Sequence, residues 1–162
     1  MIAKQTGLTL IELMIAIVIL AIVMAIAAPS MLEFRERKQL RGAAEALYSN
    51  LYYARSEALK KNSNIFVNFS AGNDGAWCVG LDDTAACNCN TANDCQIDAA
   101  DKVVDGADYP AVDMTHDFTG NGTRFESRRG AANVTGTATF TIGSGDQRQV
   151  LVSVIGRVRY LD

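Results

Sequence analysis

The chain has 162 residues, 49% of them hydrophobic and 20% charged, and its formal net charge at pH 7 is −3. At this length there is room for one domain beyond a hydrophobic amino-terminal segment. The charge is unevenly distributed: residues 71–117 contain ten Asp and one Lys, whereas residues 118–162 contain six Arg and three acidic residues. Blocks of like charge often mark interaction surfaces, although a solvated surface is the simpler alternative.

The amino-terminal stretch combines three features that need a common explanation. Gly7 follows a short leader with one basic residue, Glu12 comes five residues later, and residues 13–28 are apolar and uncharged. An ordinary signal peptide would end in a small-residue cleavage site, which residues 25–27 offer. A carboxylate beside the apolar run does not help such a signal, because a charge in lipid costs roughly 3 kcal/mol or more and usually has a partner or a role.

Residues 7–14, the apolar run and Pro29 together resemble the class III signal of type IV pilins and type II secretion pseudopilins. The resemblance implies that a prepilin peptidase cuts after Gly7, that the mature chain begins at a methylated Leu8, and that Glu12 pairs with the amino terminus of a neighbouring subunit. Leu8 is a departure, because the family usually has phenylalanine there. Residues 1–7 would be the leader and residues 8–30 the membrane-spanning and filament-core helix.

Helical periodicity continues beyond the membrane segment, so the same helix is predicted to run on to about Asn62. Pro29 removes one backbone donor and is expected to kink the helix without ending it. Residues 31–62 form its amphipathic half, in which an apolar stripe recurs at spacings of three and four. The stripe consists of Leu40, Ala44, Leu47, Leu51, Ala54 and Ala58, and the opposite face carries Arg35, Arg37, Lys38, Arg41 and Glu45.

After Asn62 the hydrophobic period changes from about 3.6 residues to about 2, which predicts β-strands. Ile65, Val67 and Phe69 alternate in a first strand, and residues 77–81 are its predicted hairpin partner. Further strands are predicted at residues 115–118, 123–126, 137–142 and 148–154, with Ala138, Phe140 and Ile142 facing Val150, Val152 and Val154. The predicted fold is α+β, a pilin fold with a long amino-terminal helix packed on a small antiparallel sheet in a head formed by residues 63–162.

Four cysteines, Cys78, Cys87, Cys89 and Cys95, lie in or beside an Asp- and Asn-rich excursion at about residues 78–108. An exported chain enters an oxidising compartment, so disulfides are expected, and four cysteines allow three connectivities. A Cys87–Cys89 bond would close a very small ring, which favours pairing each of them with Cys78 or Cys95. The spacing lacks the paired C-x-x-C of a zinc site and the acids lack calcium-loop spacing, so no metal is predicted.

No catalytic arrangement is apparent. His116 is the single histidine, has no nucleophile–base partner in the sequence and is expected to be a surface or turn residue. No glycine-rich phosphate loop joins a strand to a helix. We therefore predict an assembly or binding protein, not an enzyme, with no cofactor.

Two further stretches narrow the resemblance. Residues 54–58 (ARSEA) and residues 154–159, which end in G-R-x-R, resemble the FimT/FimU and GspH-like minor subunits. This implies a minor pilin at or near the pilus tip that assembles with major and minor pilin subunits. Before assembly it would lie in the bacterial inner membrane with its head in the periplasm, and afterwards on the cell surface. FimT-like members are associated with capturing extracellular DNA in natural transformation through their basic carboxyl-terminal region.

Arg157 and Arg159 alternate along a predicted strand, about 7 Å apart on one side, a spacing close to that of successive phosphates. The predicted partner is double-stranded DNA, bound through its backbone without sequence readout. Further candidate contacts are Arg148 on the preceding strand and Arg124, Arg128 and Arg129 in nearby loops. Alternatively, these arginines pair with aspartates of the excursion or contact the next tip subunit. The alternative function is an H-type minor pseudopilin of type II secretion that binds no nucleic acid.

Overall fold

The computed structural model describes residues 9–161, except for the side chains of residues 26–29. Gly7 and Leu8, the predicted processing residues, lie outside the described residues. The described part contains one long helix followed by ten β-strands and two short 3-10 helices. This order of elements matches the predicted arrangement of a helix followed by a β-rich head.

The chain divides into two compact units, Met1–Arg35 and Glu36–Asp162. The helix, α1, spans Leu10–Lys61 and is continuous across Pro29, so the proline does not end it, as predicted. The helix stops where Asn62 takes a φ of 49°. Asparagine tolerates this left-handed conformation and is therefore a common helix-terminating residue.

In its described residues, the first unit is an apolar helical segment whose described hydrophobic side chains are exposed. Thr9 caps the helix, because the Glu12 backbone N–H donates to the Thr9 carbonyl at 3.1 Å and to its hydroxyl at 3.3 Å. An 18-residue window reaches a mean hydropathy of 3.0, and none of it is buried. Each such side chain would gain about 1.5–3 kcal/mol on burial, so the segment calls for a lipid or protein environment. By length and composition it can cross a membrane.

The amphipathic half of α1 contributes one wall of the hydrophobic core. All six residues of the predicted stripe are at most 1% exposed: Leu40, Ala44, Leu47, Leu51, Ala54 and Ala58. The five charged residues predicted for the opposite face are all exposed: Arg35, Arg37, Lys38, Arg41 and Glu45. The predicted amphipathic pattern is therefore confirmed.

The remaining chain forms two four-stranded antiparallel sheets and a small two-stranded ribbon. In chain order the strands are β1 (Ile65–Ser70), β2 (Cys78–Asp82), β3 (Gln96–Ile97), β4 (Ala100–Asp101), β5 (Val103–Asp105), β6 (Asp113–His116), β7 (Gly122–Phe125), β8 (Gly136–Thr141), β9 (Gln147–Val152) and β10 (Val158–Leu161). The 3-10 helices span Gly106–Asp108 and Thr119–Asn121. The first sheet has the order β5-β2-β1-β7, the second β10-β9-β8-β6, and β3 pairs with β4.

The two sheets depart from the single sheet that the sequence predicts. β6 and β7 are neighbours in sequence, yet β6 pairs with β8 and β7 pairs with β1. The strand predicted at residues 148–154 ends at Val152, and Val154 is 67% exposed, not buried. A tight turn causes this, because the Gly156 N–H donates to the Ser153 carbonyl at 2.8 Å.

His116 is not the surface or turn residue that the sequence predicts. It lies on β6, half-buried, with its ring centroid 5.4 Å from that of Phe69 and 6.2 Å from that of Phe118. Burial lowers the pKa of the imidazole, which disfavours its charged form. His116 is therefore a packing residue between aromatic side chains.

The cysteine-bearing excursion is more regular than predicted, because β5 returns from it to pair with β2 in the first sheet. The disulfides are Cys78–Cys89 and Cys87–Cys95, within the pairings that the sequence favours. Asp82 organises the segment between them by accepting hydrogen bonds from the Thr84, Ala85 and Gln96 backbone N–H groups and from the Thr84 hydroxyl. Burial raises the pKa of Asp82, but these hydrogen bonds outweigh it and the net shift is downward.

Lys61, the last residue of α1, ties the helix to the excursion. Its Nζ donates to Asp83 Oδ2 at 2.8 Å and to Asp98 Oδ1 at 2.6 Å. The hydrogen bond from Lys61 holds the pKa of the Asp83 carboxyl below its ordinary value. The same hydrogen bonds raise the pKa of Lys61.

We expect Gly80→Ala to destabilise the head. A Cβ at Gly80 would lie 2.1 Å from the Cys95 sulfur and 3.0 Å from the Cys87 sulfur, so the disulfide would have to move. Overpacking of this kind costs about 1–3 kcal/mol, measurable as the free energy of unfolding in urea. Gly143→Ala, where nothing lies within 4 Å of the new Cβ, is the matched control. Equal stability changes in the two variants would contradict the account.

We also expect Lys61→Met to lower the free energy of unfolding at pH 7. At lower pH the decrease should be smaller. The folded-state pKa of Asp83 is lowered, so the stabilisation is complete above the unfolded value of about 3.9 and is lost as the pH drops through the folded-state pKa. Urea titrations at pH 7 and pH 3 measure the difference. In an Asp83→Asn/Asp98→Asn background the Lys61→Met effect should be small at both pH values. An undiminished effect at pH 3 would contradict the ion-pair explanation.

Candidate nucleic-acid interface

The carboxyl-terminal arginines lie at and beside the edge strand β10. Arg159 is in the strand, opposite Leu151 of β9, and Arg157 immediately precedes it. Both arginines are exposed, whereas Val158 between them is only 8% exposed. Both arginines flank the buried Val158 and line the same two depressions, so they project from the same side.

The start of β10 is held in place by a contact among three distant parts of the chain. Arg55 of α1 donates from Nε to the Gly130 carbonyl at 3.2 Å and from Nη2 to the Ile155 carbonyl at 3.4 Å. Gly156 has a φ of +72°, and a Cβ there would lie 1.7 Å from the Gly130 carbonyl oxygen. A side chain at this position is therefore excluded, which gives the glycine of G-R-x-R a structural role. The arginine of ARSEA likewise joins the helix to two turns.

The positive charges of Arg157 and Arg159 have no carboxylate partner among residues 9–161, because no ion pair or hydrogen bond involves either guanidinium. Two of the excursion acids, Asp83 and Asp98, both bind Lys61. The described residues therefore do not support the alternative in which acids of the excursion neutralise these two arginines. Arg55 is hydrogen-bonded to uncharged carbonyls, so its charge also adds to this surface.

Arg128 and Arg129 are exposed in the turn that precedes Gly130. This turn adjoins the turn before β10, because the Ala132 N–H donates to the Val154 carbonyl at 3.1 Å. The two arginines therefore flank the contact that Arg55 makes with the Gly130 carbonyl. We use the name basic surface for Arg55, Arg128, Arg129, Arg157 and Arg159.

Two further arginines that the sequence predicted as DNA contacts lie apart from this surface. Arg124 is on β7 in the first sheet, not in a loop, and its guanidinium carbon lies 5.9 Å from the Phe66 ring centroid. It is half-buried on the strand predicted at residues 123–126, so its placement in a loop is wrong, and it lines neither depression beside Arg157 and Arg159. Arg148 is on β9 as predicted, where it lines a depression of about 520 Å³ together with Arg41 and Tyr160.

Arg157 and Arg159 separate two further depressions. One, of about 480 Å³, lies between α1 and β10, and we call it the α1–β10 groove. It is lined by Tyr48, Tyr52, Arg55, Arg157, Val158, Arg159 and Tyr160. The other, of about 370 Å³, is lined by Arg157, Arg159, Leu151, Ser153, Val154 and Ile155. Sequence reasoning missed the tyrosines, although the four-residue spacing of Tyr48 and Tyr52 on α1 already put them on one helix face.

The chemistry open to this surface is binding. Within the described residues no group of three or more His, Cys, Asp or Glu side chains could hold a metal ion. His116 is on β6, at the opposite edge of the second sheet from β10. The basic surface therefore offers cationic forks, and the α1–β10 groove adds aromatic rings, for an anionic partner.

Comparisons with known proteins agree with the fold. Residues 43–156 match the family described as type II transport protein GspH, and residues 2–28 match the prokaryotic N-terminal methylation motif. The solved structure of the type IV minor pilin FimU from Pseudomonas aeruginosa superposes with a TM-score of 0.58 at 23% identity, covering 80% of this chain and 92% of FimU. The minor pseudopilin EpsH of the type 2 secretion system of Vibrio cholerae superposes with a TM-score of 0.56 at 13% identity, covering 76% of this chain and 96% of EpsH.

No curated protein matches the chain significantly. At these identities the two structural likenesses show a shared fold and nothing further. The family match spans most of the head, and the methylation motif covers the residues that resemble a prepilin signal. The chain therefore belongs to the GspH family, and it also contains the N-terminal methylation motif.

Proposed function

We propose that this protein is a minor type IV pilin at or near the pilus tip, which supports assembly and binds extracellular double-stranded DNA for uptake in natural transformation. The observation that carries the proposal is the pair Arg157 and Arg159, exposed on one side of an edge strand without a carboxylate partner among the described residues. An arginine fork matches the geometry of phosphate oxygens. Contacts of this kind hold the DNA backbone without reading its sequence, as uptake of arbitrary DNA requires.

The remainder of the basic surface supports the same reading. Arg128 and Arg129 are exposed beside the turn that leads into β10, and Arg55 brings a further charge to the groove wall. The Arg55 and Gly156 contacts hold the arginine-bearing strand against α1, so the backbone that carries Arg157 and Arg159 is fixed before DNA arrives. Such preorganisation lowers the entropic cost of binding.

The second candidate is an H-type minor pseudopilin of a type II secretion system, which binds no nucleic acid. Val154 and Ile155 favour it, because both are 67% exposed and lie beside Arg157. An exposed apolar turn next to charged side chains is also what a contact with a neighbouring subunit requires. In that case Arg157 and Arg159 would be held by carboxylates of the neighbour.

Assembly is proposed to depend on the amino-terminal segment. A prepilin peptidase would cut after Gly7 and leave a methylated Leu8, and the head would face the periplasm before assembly. Glu12 is exposed at the start of an apolar helix, where an unpaired carboxylate is costly in lipid. Its proposed partner is the amino terminus of a neighbouring pilin subunit.

We expect Arg157→Gln/Arg159→Gln to weaken binding of duplex DNA by the unit Glu36–Asp162. This unit contains the whole described hydrophobic core and both disulfides. Losing two phosphate contacts should reduce the slope of log K against log salt by about 1.8. Fluorescence anisotropy over a salt series measures both the affinity and the slope.

The control for this experiment is Arg37→Gln/Lys38→Gln, which removes the same charge elsewhere. Arg37 pairs with Asp146, at the opposite end of β9 from Ser153. If both variants weaken duplex binding equally, the effect would be explained by net charge alone. Absence of duplex binding at low salt would remove the DNA proposal and favour the secretion alternative.

We expect Glu12→Ala to abolish incorporation into pili while leaving removal of the leader intact. Immunoblots of sheared pili and of membranes separate the two steps, since the processed chain should accumulate in the membrane fraction alone. Glu12→Asp, which keeps the charge, should retain part of the incorporation. Wild-type amounts of the alanine variant in pili would show that the carboxylate has no role in assembly.

A further inference from the structure

The α1–β10 groove is one part of a longer concave track along the helix. The depression containing Arg148 shares Tyr48 and Tyr160 with the groove. A third depression, of about 250 Å³, lies further along α1 and shares Tyr52 and Arg55 with the groove. The helix wall of the track runs over residues 41–59, about 27 Å at 1.5 Å per residue. The opposite wall of its central part is the edge strand β10. A narrow track of this length accommodates an extended chain of several units.

Aromatic rings line the centre of the track. Tyr52 is 59% exposed although it lies beside the core stripe, and Tyr48 is half-buried one helical turn before it. Residues four apart lie on the same helix face, with about 6 Å of rise between them. Tyr48 packs against the core, whereas most of the Tyr52 ring faces solvent and is open to stack on a ligand.

The charges beside these rings are positive. Arg55, Arg157 and Arg159 line the same groove. The carboxylate at one end of the track, Glu45, is paired with Arg41 at 2.7 Å, so its charge is compensated within the helix. Aromatic rings interleaved with uncompensated arginines are typical of surfaces that bind single-stranded nucleic acid, where bases stack on rings and cations follow the phosphates.

We propose that the α1–β10 groove binds a single strand of DNA, with a base stacked on Tyr52 and the flanking phosphates held by Arg157 and Arg159. The inference rests on the proposed DNA binding by Arg157 and Arg159, and it adds a second, single-stranded ligand that the groove distinguishes from a duplex. A duplex hides its base faces in its own stack, so Tyr52 would gain nothing from it. A single strand exposes them, and each base has a face that can stack whatever its sequence.

The test uses the full chain in a nonionic detergent with a fluorescent 12-nucleotide dT strand and a 12-base-pair duplex at 50 mM salt. Tyr52→Leu removes the ring but keeps an apolar, helix-favouring side chain, and Tyr52→Phe keeps the ring without the hydroxyl. We expect Tyr52→Leu to weaken single-strand binding by about fivefold or more, the lower end of the effect of losing one stacked base. Tyr52→Phe should stay within about twofold of wild type, and duplex binding should not change in either variant.

Two results would overturn the inference and are distinguishable from failure of the proposed function. If Tyr52→Leu leaves single-strand binding unchanged while Arg157→Gln/Arg159→Gln weakens duplex binding, the groove selects no single strand and DNA capture stands. If neither oligonucleotide binds at low salt, both ideas fail and the tyrosines are better explained as a contact with a neighbouring subunit.

Discussion

The structure of the head depends on burial of the α1 stripe. Leu40, Leu47 and Leu51 fill the core, while small alanines between them let the helix approach the sheets closely. Once this stripe is buried, the rotation of the helix about its axis is set. The charged face must then point outward, and the intermediate face that carries Tyr48, Tyr52 and Arg55 must border β10. One packing requirement therefore positions the groove and the motif arginine together.

The two sequence stretches that resemble minor pilins, residues 54–58 and 154–159, contain residues of two kinds. Arg55 and Gly156 are structural, since one bridges two backbone carbonyls and the other allows a backbone approach that no side chain would permit. Arg157 and Arg159 make no such contact among the described residues and are available to a partner. Loss of Arg55 would therefore disturb the strand that carries the other two, and a loss of binding in that variant would not identify a ligand contact.

Local patterns predicted local structure well and distant pairing poorly. The stripe of α1 and the alternation of Ile65, Val67 and Phe69 follow from side-chain periodicity, which one segment contains by itself. The division into two sheets does not, because whether β7 joins β1 or β6 depends on the energetics of contacts far apart in the chain. Val154 continued an apolar alternation, and only the Ser153–Gly156 hydrogen bond removed it from the strand.

The candidate site shows the same division. The sequence identified Arg157 and Arg159 from their alternation. The strand at residues 123–126 was also predicted, but its pairing with β1 in the other sheet was not, so Arg124 was grouped with the wrong surface. The tyrosines of the groove were missed because nothing local relates α1 to β10, whose residues lie about a hundred positions later. Their functional context exists only after the chain has folded.

The measurement that tests the account most directly is a titration of the isotope-labelled unit Glu36–Asp162 with duplex DNA, followed by backbone and arginine side-chain NMR signals. DNA capture by the basic surface predicts salt-dependent shifts at Arg157 and Arg159, extending to Arg128 and Arg129. The excursion between the cysteines should remain unchanged. Shifts confined to other surfaces, or no shifts at low salt, would contradict it and leave these arginines as contacts between subunits.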